Sequence, residues 1–66
     1  MTVNVGDIVK FADSGPKGEI GRVCKDNGFS VCVQFKSTGC LRVAKSDLEV
    51  TTGKAPECSN KCKEGC

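Results

Sequence analysis

Gly18-Glu19-Ile20-Gly21-Arg22-Val23-Cys24-Lys25-Asp26-Asn27-Gly28-Phe29-Ser30-Val31-Cys32-Val33-Gln34-Phe35 decides the fold of this chain. It reads as a glycine-rich approach, a strand, a tight turn and a second strand. Asp26-Asn27-Gly28 is the turn signal, and it allows two registers. A two-residue Asn-Gly turn pairs Cys24 with Val31 on one face. A three-residue loop, with Gly28 as a left-handed bulge, pairs Lys25 with Phe29 and Val23 with Val31. The second register is preferred because it gathers Val23, Val31, Val33 and Phe35 on one face. Cys24 and Cys32 then share the opposite face on adjacent strands, within roughly 7–8 Å of each other.

Outward from the hairpin, Val5 to Phe11 reads as a first strand with Val9 and Phe11 inward. Residues 12–18 form a loop rich in Gly, Pro, Ser and Asp. Cys40 to Val43 alternates as a fourth strand, with Leu41 and Val43 inward. Ala44 to Asp47 makes one helical turn, and Leu48 to Val50 a closing strand. Five short strands at this spacing predict an all-β small barrel or sandwich. The three phenylalanines, Phe11, Phe29 and Phe35, are assigned to its core. Residues 51–57 are a linker. Residues 58–66 hold Cys58, Cys62 and Cys66 and no aliphatic side chain, so only thiols can attach this tail to anything.

The chain has 66 residues, six Cys, three Phe and neither Trp nor Tyr. A chain this short buries only about 60% of its unfolded surface, so its lean core calls for staples. Ten basic and eight acidic residues are interspersed, and the net charge of +2 does not imply nucleic acid. No stretch is long enough to cross a membrane. Met1-Thr2-Val3-Asn4 leads straight into strand-like sequence without a signal peptide, which predicts a cytoplasmic chain. That compartment favours metal binding over disulfides.

Gly6-Asp7-Ile8-Val9-Lys10-Phe11, Lys17-Gly18-Glu19-Ile20-Gly21-Arg22-Val23 and Val31-Cys32-Val33 together resemble a KOW-type motif in an SH3-like barrel. Val43 and Ser46-Asp47-Leu48-Glu49-Val50 are similar to the closing turn and strand of such barrels, including the small photosystem I reaction-centre subunit IV. The resemblance covers residues 1–50 and implies a five-stranded SH3-like barrel carrying a cysteine-rich C-terminal tail. It implies little about function, because these barrels serve RNA, protein and cofactor-bearing partners alike.

Cys24, Cys32 and Cys40 recur every eight residues, and Cys58, Cys62 and Cys66 every four. On a helix the tail thiols drift only about 40° per step. The linker spans roughly 25 Å when extended, so the tail can return across the outer face of the sheet. The leading expectation is a thiolate metal site joining barrel and tail, with all six cysteines as candidate ligands for zinc or an iron–sulfur cluster. Lys54, Lys61 and Lys63 beside the tail thiols would raise their reactivity, but the preferred reading is that they solubilise a polar tail. Against the metal, there is no Cys-x-x-Cys knuckle. Three disulfides pairing sheet with tail are one alternative, from 15 connectivities; unused thiols and a disordered tail are the other.

The expected function is a small non-enzymatic binding or accessory module with a protein partner. One alternative is a KOW-like RNA-binding or ribosome-associated domain acting through Lys17, Arg22, Lys25 and Arg42. Another is a disulfide-stapled protein-interaction domain without metal. No His is present for acid–base work, no small-molecule substrate is evident, and the aromatic groove that grips proline-rich peptides is missing.

Overall fold

The computed structural model describes residues 3–12 and 20–65. The loop expected over residues 12–18, with Lys17, therefore lies almost wholly outside the described residues, as does Cys66. The strands are β1 (Ile8–Phe11), β2 (Ile20–Asp26), β3 (Ser30–Phe35), β4 (Gly39–Ala44) and β5 (Leu48–Thr51). A 3₁₀ turn, Lys45–Asp47, separates β4 from β5, and a short helix α1, Asn60–Glu64, ends the described chain. The strands form one antiparallel sheet in the order β4-β3-β2-β1-β5. Strand β1 pairs with both β2 and β5. No ladder joins β4 to β5 among the described residues, so the sheet is open and a closed barrel is not seen.

The hairpin adopts neither expected register. Asn27 N–H donates to the Ser30 carbonyl at 2.8 Å, and Asp26 stands opposite Val31. The loop is therefore Gly28-Phe29, one residue later than the Asn-Gly signal suggests. Gly28 has φ +93°, which suits the first position of such a two-residue turn. The Asp26 carboxylate also takes the Gly28 N–H at 2.8 Å. That bond, and the Lys45 ammonium 3.0 Å away, hold the Asp26 carboxyl below its usual value of 3.8.

A plain two-residue hairpin would put Val23 opposite Gln34 and turn it out of the core. A bulge at Cys24 prevents this, since Val23 stands opposite Val33 while Lys25 stands opposite Cys32. The expected faces thus survive although the register is shifted. Val9, Val23, Val31, Val33 and Phe35 are fully buried on the inner face, with Val3, Val43 and Leu48 beside them. Phe11 stacks on Phe35 with ring centroids 5.3 Å apart.

Two core assignments and the start of the first strand need correction. Phe29 occupies the hairpin loop and is 96% exposed, because the shifted turn makes it a loop residue rather than the start of β3. Leu41 is exposed because β4 is an edge strand, covered from one side only. Val5 is exposed because Asn4 and Asp7 close a turn before β1 begins: the Asp7 N–H reaches the Asn4 carbonyl at 3.0 Å, and the Asn4 N–H reaches the Asp7 carboxylate at 2.9 Å.

Gly21 stands opposite Phe35, and a Cβ there would lie 2.6 Å from Val33 Cγ1 and 2.9 Å from the Gln34 carbonyl oxygen. Backbone cannot yield as a side-chain tip can. Gly21→Ala is expected to cost about 1–3 kcal/mol through overpacking. Thermal denaturation without reductant should show the loss as a melting temperature lower by roughly 5–15 °C.

Candidate functional site: the stapled outer face and the Phe29 groove

Strand alternation gives the sheet a second face, and the tail covers it. Arg22, Lys25, Cys32, Gln34 and Cys40 share this face by register, and the bulge turns Cys24 the same way. Helix α1 packs on β2, β3 and β4. Of the two described tail cysteines, Cys62 lies within the helix and Cys58 before it, because Ser59 caps the helix start. The Ser59 hydroxyl accepts the Cys62 N–H at 3.2 Å and donates to Gln34 Oε1 at 3.0 Å. Cys58 precedes this cap in extended chain, so the expected helical stripe of three thiols is not formed.

The chemistry of the thiols is the main correction. Cys24 is bonded to Cys58 and Cys40 to Cys62, with Cα separations of 5.8 and 5.6 Å. Both separations lie where disulfides ordinarily fall. A sulfur bonded to sulfur is no thiolate ligand, and no group of three or more Cys, His, Asp or Glu among the described residues is placed to hold a metal ion. The thiolate site for zinc or an iron–sulfur cluster is therefore overturned for Cys24, Cys32, Cys40, Cys58 and Cys62. Cys66 lies outside the described residues. The fully buried Cys32 packs with Cys24 and Cys62, while Cys40 and Cys58 border the cluster. Five cysteines thus make a second, sulfur-rich core that fixes the tail.

The basic candidates divide. Arg22 donates to the Ala55 carbonyl at 3.4 Å, and Lys25 to the Glu64 carbonyl at 3.1 Å. Both therefore hold the tail. The Arg22 Nε is buried without a hydrogen-bond partner. Arg42 is exposed on β4, and Lys17 lies outside the described residues. Lys54, Lys61 and Lys63 are exposed around the stapled tail.

A groove of about 640 Å³ lies at the other end of the hairpin, lined by Val3, Phe29, Ala44, Lys45, Leu48 and Val50. Its floor is Val3 and Leu48, both buried, and its rim is Phe29 and the half-exposed Val50. Lys45 locks its shape: its N–H donates to the Phe29 carbonyl at 3.0 Å, and its ammonium pairs with Asp26. The sequence reading missed this groove, since it depends on a turn shifted by one residue. No described helix is long and apolar enough to cross a membrane. No family model, curated protein or solved structure matches this chain.

Proposed function

We propose that the chain is a non-enzymatic, disulfide-stapled protein-interaction domain that docks an extended apolar segment of a partner protein in the Phe29 groove. The carrying observation is Phe29 itself, held 96% exposed beside an apolar groove. A chain with only three phenylalanines and a lean core leaves one of them in water. Burying such a side chain against a partner is worth about 1.5–3 kcal/mol. Aromatic side chains over pockets are the usual anchors of protein interfaces. The engagement of Arg22 and Lys25 by tail carbonyls favours a protein partner over RNA.

The finer fold we propose is the SH3-like barrel that the sequence resembles. Pairing of the first and last strands, β1 with β5, supports it, because that step curls a five-stranded sheet toward closure. Its staples would persist where the surroundings are oxidising.

A displayed library of random peptides, panned on the oxidised domain, tests the docking surface. Apolar peptides should enrich on the wild type and bind Phe29→Ser at least tenfold more weakly, while the two proteins melt within about 2 °C of each other. Equal binding to both proteins, or no enrichment, would refute the reading.

A further inference from the structure

Strand β5 is an edge of the sheet, and two of its residues, Leu48 and Val50, line the Phe29 groove. We propose that the partner segment enters as a sixth strand, antiparallel to β5, with apolar side chains on either side of a basic one. The inference rests on the docking reading above and adds how the segment lies and which residues it must carry.

The backbone is the first observation. In an antiparallel ladder, residues alternate between exchanging both bonds with the neighbouring strand and pointing both groups away from it. The Ala12 N–H donates to the Asp47 carbonyl at 2.9 Å, in line with the register of β1 on β5. Asp47 is thus a bonded position, and by alternation so are Glu49 and Thr51. Leu48 and Val50 turn their N–H and carbonyl groups to the open edge instead. The Lys45 carbonyl takes the Leu48 N–H. The Leu48 carbonyl and both Val50 groups remain, and no described strand lies beyond them. Such an edge is a template for an added strand. A residue opposite Val50 would exchange two bonds with it, and the residue two places further on would donate its N–H to the Leu48 carbonyl.

The side chains are the second observation. Leu48 and Val50 stand opposite Phe11 and Val9, so both belong to the inner face. Leu48 is buried in the groove floor, and Val50 is 47% exposed on its rim. Side chains of the added strand opposite these two fall on the same face, over the groove that Phe29 lines, and must be apolar. The residue between them falls on the other face, opposite Glu49. That carboxylate is half-exposed, with the Lys10 ammonium of β1 at 3.6 Å. A lysine or arginine on the added strand would complete a row of alternating charge across three strands. Exposed Asp47, two residues before Glu49, adds to the negative charge of this edge.

Fluorescein-labelled synthetic peptides test this on the oxidised full chain by fluorescence polarisation. The first carries Val-Lys-Val between threonines, and the second Val-Glu-Val. The third is the lysine peptide with both valine amides N-methylated, which removes the two donors that face β5. The fourth is N-methylated at the lysine alone. The glutamate peptide should bind about three- to tenfold more weakly than the first. The valine-methylated peptide should lose at least about tenfold. The lysine-methylated one should bind within about twofold of the first, because that N–H points away from β5. In Glu49→Gln the preference for lysine over glutamate should shrink to about twofold or less. Full binding of the valine-methylated peptide, a lysine preference unchanged in Glu49→Gln, or no binding of the first peptide would overturn the added strand. Phe29→Ser separates this from the docking reading. A valine-methylated peptide that binds the wild type fully and Phe29→Ser weakly would leave the groove in use without a sixth strand. Binding of the first peptide that Phe29→Ser leaves unchanged would instead sink the docking reading itself.

Discussion

Replacing Cys24 and Cys58 together by serine is expected to lower the melting temperature of the oxidised domain by roughly 15–30 °C. The bond spans a sequence separation of 34 residues. Closing a loop of that size removes about 4 kcal/mol of chain entropy from the unfolded state. The tail contributes few apolar contacts to replace it, since beyond its cysteines it is held by single hydrogen bonds from Arg22, Lys25 and Ser59. The double variant also leaves no stray thiol from this pair to reshuffle. Calorimetry gives the melting shift, and faster tryptic cleavage at Lys61 and Lys63 would show the tail leaving the sheet. A reductant should reproduce the loss in the wild type, whereas a chelator should leave the melting curve where it was. A chelator-sensitive melting curve would contradict the disulfide assignment.

The second large effect is expected in the aliphatic core. Phe35 is 1% exposed, stacks on Phe11 and stands opposite Gly21, the residue whose missing side chain makes room for it. Phe35→Ala should cost about 3–5 kcal/mol, combining lost transfer energy with an unfilled cavity. A core this small supplies little more than that in total. The variant should therefore lose cooperative unfolding in urea even with its disulfides intact, as read by circular dichroism. Wild-type cooperativity and midpoint would show that the Phe35 cluster is not what holds the sheet. The two variants probe different layers, because Phe35 lies on the inner face and the cystines on the outer.

Much of the sheet was legible from strand alternation. The grouping of Val23, Val31, Val33 and Phe35 follows from their two-residue period and survives a shift of register, because the bulge preserves parity. The turn at Lys45–Asp47 was readable for similar local reasons. The position of the hairpin loop was not, since Asn-Gly and Gly-Phe both place glycine where a positive φ is needed. Phe29 went astray with it, and so did the groove. The state of the thiols was hidden for a different reason. Metal binding and cystine formation both bring cysteines together, and the sequence carries no Cα separation to tell them apart. The compartment argument then tipped the expectation toward metal, and the 5.6 and 5.8 Å separations reverse it.

The bulge at Cys24 has a consequence for how such a chain can change. Because Val23 meets Val33 and Lys25 meets Cys32, residue 24 has no cross-strand partner of its own. A chain without it would zip from Gly21 to Asp26 with every other pairing retained. One of the tail's two cystine anchors, Cys24, is in this sense a one-residue insertion grafted onto a hairpin that is already complete, whereas Cys40 sits in an unbroken ladder. At Cys24 the strap joins the sheet where the ladder has a residue to spare.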